Sequence, residues 1–268
     1  EIFVFEEDKI EIKSNLELTL TKLSRSLSIG DPIDNGSKEI KLLSRNMASL
    51  YDNPHNDELL KLQFQSSQNL SKFLIENKKH QNLLYEKAAT DNQHFIISQP
   101  MMSSLMLLSF LQHIHLFNDK EIENLFLASY LKDLGVALIP KEKYNLKDLN
   151  ENELDLFSHH ADFSSELLQG RIPLTTNYLN IIKNHHFLND KLKRMIGKNT
   201  HRESEMVLGL ETTLVAVFDM LVAMTNDRPY RNKLSMYQAL EVIKILMADN
   251  YPQEYKAIIL FIRQFFKN

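Results

Sequence analysis

Six glycines and seven prolines are spread over 268 residues, leaving long uninterrupted segments dominated by leucine, isoleucine and lysine. So few breakers favour helices over a many-stranded sheet, and the chain is read as all-α. The exception allowed is the start. Glu1 to Lys13 is rich in Ile, Val and Phe, with an alternation at Ile10 and Ile12 that permits a short hairpin. Helices are then predicted over Leu16 to Ser28, Lys38 to Tyr51 and Asp57 to Asn77. The breakers between them are Gly30-Asp31-Pro32 to Asn35-Gly36 and Asp52-Asn53-Pro54. Lys78 to Gln93 reads as a linking helix. The domain boundary is placed near residue 90, giving a smaller, mostly helical unit at 1–90 and a larger helical domain at 91–268.

The second unit has clearer signals. Asn118-Asp119 caps a helix running to Leu134, Gly135 ends it, and Ile139-Pro140 starts a loop. Asn150 with Glu153 forms a capping box for a helix to Leu168, and Leu174 to Phe187 is the next amphipathic stretch. A polar segment follows, Asn189 to Glu203. An apolar helix over Thr213 to Thr225 stops before Arg228-Pro229, Ser235 with Gln238 caps another, and Pro252 opens the last.

Composition narrows the function. With a net charge of −4 there is no general attraction to nucleic acid. The absence of cysteine removes disulfides, thiolate zinc, iron–sulfur clusters and cysteine nucleophiles together, so any metal must use nitrogen and oxygen ligands. It also fits a cytoplasmic location. The stretch read as most apolar, Leu214 to Met224, is too short to span a bilayer and carries Asp219, so no membrane-spanning helix is expected.

Helical spacing decides which polar side chains meet. His160 lies in the apolar row Phe157, Ala161, Ser164, Leu168, whereas His159 is turned about 100° away. On the next helix His185 follows Tyr178, Ile181 and Ile182 at helical intervals, and His186 extends the row from Ile182. Asp133 continues the row Ile122, Phe126, Ser129. Asp219 is the one ionisable residue between Glu211 and Asp227, with Val215 and Val222 on its face. Buried there, it needs a cation, a strong hydrogen-bond set or a raised pKa. Taken singly each residue has a plain structural role: a hydrogen-bonded core histidine, a solvated helix end at Asp133, or a salt bridge from Asp219 to Arg228 or Lys132. Taken together, three imidazoles and two carboxylates suit a divalent ion such as manganese, iron or zinc.

The order Leu131-Lys132-Asp133-Leu134-Gly135, His160, His185-His186 and Asp219 before Asp227-Arg228-Pro229-Tyr230-Arg231 resembles the HD-GYP family of the HD superfamily of metal-dependent phosphohydrolases. The resemblance covers residues from about Gln93 to the C-terminus. It implies an HD-GYP-like helical bundle and hydrolysis of cyclic di-GMP. It also implies a centre of one or two divalent ions, iron or manganese, with Asp133 bridging, His160, His185 and His186 as ligands and Asp219 closing the site. Arg228 and Arg231 match basic positions that face ligand phosphates. The chain departs from the family at Lys132, which replaces the histidine of the His-Asp pair, at Gln99, which replaces an earlier histidine, and at Val136, which replaces a lysine. Phe187 replaces a glutamate, and no Gly-Tyr-Pro occurs in Leu188 to Glu203. A lysine beside Asp133 favours the charged carboxylate but repels a cation, weakening one metal position.

Three functions follow from these residues. The first is metal-assisted hydrolysis of a cyclic dinucleotide or other phosphoester, with Arg228 and Arg231 offsetting phosphoryl charge. The second is a catalytically degenerate, metal-binding sensor or protein-interaction module; in either case the N-terminal unit could receive a protein partner. The third, a helical module without metal, leaves Asp219 unexplained.

Overall fold

The computed structural model describes residues 15, 18–24, 27, 29–90, 93–146, 150–197, 208–228 and 231–267. The hairpin expected over Glu1 to Lys13 lies outside them, as does part of the first predicted helix, of which 18–24 is helical. No strand occurs among the described residues; a single bridge joins Arg228 and Arg231. The all-α reading holds.

The N-terminal helices are α1 (Pro32–Asp52), α2 (Asp57–Glu76) and α3 (Gln81–Ala89). Helix α1 starts six residues earlier than its apolar pattern suggested. Asp31 accepts from the backbone N–H groups of Ile33 and Asp34, and Pro32 occupies the first turn, where its missing N–H costs nothing. Gly36 therefore does not break the chain. It lets α1 approach α2 and α3, since a Cβ there would lie 2.9 Å from both Leu84 methyls and 3.2 Å from Phe73.

Helix α4 (Phe95–Ile114) is the central rod, packed against α5 (Asp119–Leu131) and α10 (Leu210–Thr225). It bears on the expectation that no helix could span a membrane, which rested on the shorter apolar stretch Leu214 to Met224. At 20 residues α4 is long and apolar enough to cross a membrane by length and composition, yet most of it is buried inside the protein. Apolarity all round marks a helix covered on every side.

Between α5 and α10 the chain makes a 3-10 turn (Leu134–Leu138) and helices α6 (Glu151–Ser158), α7 (His160–Leu168), α8 (Thr176–Asn184) and α9 (Phe187–Met195). Helices α11 (Met236–Met247) and α12 (Pro252–Phe265) follow. The capping boxes at Asn118/Glu121, Asn150/Glu153 and Ser235/Gln238 all form, and Pro252 opens α12. Two predicted continuous helices are broken. The helix expected to run to Leu168 is interrupted at His159, which ends α6 and precedes α7. That expected over Leu174 to Phe187 ends at Asn184, and the segment expected to be polar continues helical to Met195. The helix expected to reach Leu134 stops at Leu131. Each break sits beside a residue of the candidate site.

One hydrophobic core runs from Leu20 to Phe265. Polar ties cross between its halves: Gln63, which accepts from Asn46 of α1 (2.6 Å), donates to the Tyr130 hydroxyl of α5 (2.6 Å). Arg171 of the α7–α8 connection binds Asp57 at 2.7 Å.

Candidate metal centre

Asp133 enters the centre because α5 ends two residues before it and the chain turns at once into Leu134–Leu138. Its backbone carbonyl accepts from the Tyr51 hydroxyl at 2.9 Å and from Val136 N–H at 3.0 Å. The following turn lies directly on α7. Gly135 N–H donates to Ser164 Oγ (2.7 Å), whose hydroxyl donates to the His160 carbonyl (2.8 Å). Gly135 is required by space, since a Cβ would sit 2.2 Å from that carbonyl.

The two helix breaks bring the imidazoles to Asp133. His160 opens α7, and its Nδ1 donates to the Phe157 carbonyl at 2.5 Å. His185 and His186 fill the two-residue junction of α8 and α9, and His185 Nδ1 donates to the Ile182 carbonyl at 2.6 Å. A carbonyl only accepts, so both Nδ1 atoms carry hydrogen, which leaves Nε2 as the nitrogen of each ring available to a metal. Those Nε2 atoms lie 3.3 Å and 3.2 Å from Asp133 Oδ1. His186 Nε2 is 3.0 Å from His160 Nε2, while its Nδ1 is 2.8 Å from the Asn189 side-chain amide.

One donor atom from each of Asp133, His160, His185 and His186 falls within 4.8 Å of all the others. Lone pairs converging on a carboxylate oxygen repel one another unless a cation lies among them. His185 Nε2 is buried with no hydrogen-bond partner, an orphan that a divalent ion would satisfy. Burial is the largest cause that pushes the His186 imidazole well below its ordinary range, which keeps it in the neutral, ligating form. The residues fit a divalent ion held by three nitrogens and one oxygen, a set suited to zinc, iron or manganese. The carbonyl acceptors of His160 and His185 and the amide beside His186 are the outer partners that orient such ligands.

Asp219 stands apart from this set. Its Oδ1 lies 2.9 Å from Lys132 Nζ and accepts from Gln99 Nε2 at 2.8 Å. The lysine also reaches Asp133 Oδ2 at 2.6 Å, and its side chain is fully buried. Where the sequence left a metal, Lys132 or Arg228 as the cation for Asp219, the structure brings up Lys132. Burial acts to lower the Lys132 ammonium, but Asp133 and Asp219 outweigh it and raise it, so the amine stays charged. Burial acts to raise the Asp133 carboxyl, but opposing interactions, led by the Lys132 ammonium, hold the group well below the usual carboxylate range.

The two arginines lie at the end of α10. The Arg228 guanidinium stacks 4.1 Å from the centroid of the Phe95 ring, one helical turn before Gln99. Arg231 donates to the Ala223 carbonyl at 2.6 Å, one turn beyond Asp219. Pro229 and Tyr230 lie outside the described residues, as do 198–207 of the stretch lacking Gly-Tyr-Pro.

Residues 82–252, well over half the chain, match the family model described as HD domain. The chain belongs to the HD domain family. This HD domain thus spans α3 to the start of α12 and contains every residue of the centre except the supporting Tyr51. HD domains bind divalent metals and form a phosphohydrolase family, in keeping with the ligand cluster. No curated protein matches the sequence. Among solved structures the chain is similar to one described as Bd1817, a HDG"Y"P protein from Bdellovibrio bacteriovorus, with a TM-score of 0.68 and 15% identity. The likeness covers 98% of this chain and 82% of that one. It establishes an HD-GYP type of helical fold that includes the N-terminal helices.

Sequence reasoning did not find Tyr51, Ser164 and Asn189. Ser164 could have been sought from its place in the apolar row with His160, since a buried hydroxyl there needs a partner.

Proposed function

We propose that this HD domain is a metal-dependent phosphodiesterase acting on a cyclic dinucleotide, with iron or manganese held by Asp133, His160, His185 and His186. The observation that carries the reading is the convergence of these four donors around the orphaned His185 Nε2. When bound, such an ion would supply polarisation of a phosphoryl oxygen and a nucleophile near neutral pH. The chain's own residues would orient and neutralise. Asp133, His160, His185 and His186 would hold the ion and so fix where a phosphate could bind. Arg228 and Arg231, at the end of the helix that carries Asp219, would draw the remaining phosphate charge. Residues 1–90 would regulate the centre or receive a protein partner, with Tyr51 on the Asp133 carbonyl as the point of contact.

Metal-replete protein incubated with cyclic di-GMP should release the linear dinucleotide or the mononucleotide, resolved by chromatography. Asp133→Ala should lose both metal and turnover while keeping its helical signal. Unchanged metal content in that variant would remove Asp133 from the ligand set. A second reading, binding without cleavage, draws on one observation: Lys132 already engages both Asp133 Oδ2 and Asp219. Calorimetric binding of cyclic di-GMP with no product over a day would select it.

A further inference from the structure

We infer that Lys132 is a built-in cation that takes the place of a second metal ion, so that the centre accepts one divalent ion per chain. The inference rests on the metal-dependent reading above and says how many ions the centre holds. Two carboxylates from different elements converge on one point: Asp133 Oδ2 at 2.6 Å and Asp219 Oδ1 at 2.9 Å meet the Lys132 ammonium, and Gln99 holds Asp219 from α4 at 2.8 Å. Two carboxylates facing a common point inside a protein require positive charge between them. In this chain a covalently tethered nitrogen sits there, at distances that leave no room for an ion in the same position.

Lys132 is fully buried, so its ammonium has no exit to water and no approach to a ligand. Its role is therefore electrostatic and positional. Asp133 faces two ways, with Oδ2 bound to the ammonium and Oδ1 turned toward His160 and His185 at 3.3 Å and 3.2 Å. The lysine thus aims Asp133 Oδ1 at the imidazole cluster and repels a further ion from the Asp219 side. Two carboxylates against one ammonium and one divalent ion leave a single net positive charge to attract a phosphate.

The test counts ions. The full chain is stripped with chelator, dialysed against manganese and assayed for bound metal by mass spectrometry. One ion per wild-type chain is expected. Two ions overturn the inference and leave the metal-dependent function standing, whereas none overturns the metal reading itself. Lys132→His, which exchanges the ammonium for a neutral ligating ring, should raise the count from one to two; a folded variant that stays at one overturns the inference. A measurement independent of metal guards against a variant that fails to fold. In metal-free protein, Lys132→Met should lower the denaturation midpoint, and adding Asp219→Asn to it should recover part of that loss. Strictly additive losses would show that Lys132 does not neutralise Asp219, and would overturn the inference.

Discussion

Replacing Gly135 with alanine should separate the two halves of the metal centre. A Cβ at this position would lie 2.2 Å from the His160 carbonyl oxygen and 2.5 Å from Ser164 N, both backbone atoms, where ordinary contact begins at 3.4 Å. The start of α7 must therefore retreat by about 1 Å, the difference between those distances. That movement stretches the 2.7 Å bond from Gly135 N–H to Ser164 Oγ and draws His160 Nε2 away from Asp133 Oδ1, now 3.3 Å apart. Overpacking of this kind costs about 1–3 kcal/mol, and a lost buried hydrogen bond adds about 1 kcal/mol. A stability loss of roughly 2–4 kcal/mol is expected by urea denaturation. Because the shift moves a ligand and breaks its support, affinity should also fall about 10- to 100-fold, as when outer partners are removed. Gly170→Ala is the control. Its φ of +73° strains an alanine, but nothing lies within 4 Å, so it should lose about 1 kcal/mol with metal affinity unchanged. If Gly135→Ala kept its stability to about 0.5 kcal/mol and its affinity for manganese, the turn would not position the ligands as argued.

Three further substitutions probe the surroundings. Burial pushes the Glu39 carboxyl up to about 8, against a smaller lowering by the Ser24 hydroxyl. From pH 5 to 8 the unfolded chain ionises this group while the folded one resists, so the group's effect on stability worsens as pH rises. Glu39→Gln should stabilise pH 8 relative to pH 5 by on the order of 4 kcal/mol compared with wild type; parallel pH profiles in urea denaturation would contradict this. Tyr51→Phe removes the hydroxyl on the Asp133 carbonyl and should cost about 1 kcal/mol. It should also weaken manganese binding in a metal titration, and an unaltered titration would uncouple α1 from the centre. Asn189→Ala, which frees His186 Nδ1, should lower metal affinity about 10- to 100-fold with little change in unfolding; equal affinities would show that His186 needs no outer partner.

What the sequence made legible was local. The capping boxes at Asn150 and Ser235 and the proline opening α12 appear where the residue spacing put them, because a cap depends on side chains within one turn. The apolar rows through His160 and His185 pointed inward correctly, yet they run on across His159 and past Asn184 and gave no sign of the breaks that bring the imidazoles together. Helix α4 escaped notice for the opposite reason. Apolar on every face, it lacks the one-sided period that marks a surface helix. Gly36 looked like a breaker because close approach of α1 to Leu84 and Phe73 belongs to the tertiary packing. The need of Asp219 for a cation was readable from its apolar neighbours. Which cation answers it depends on how α5 meets α10, a distance the sequence does not carry.

X-ray absorption at the metal edge of purified, manganese- or iron-loaded protein tests the central claim most directly. One ion surrounded by three imidazole nitrogens and a carboxylate oxygen, with any remaining positions filled by water and no second metal within scattering range, is the result expected. A metal–metal vector, or a spectrum without histidine scattering, would contradict it.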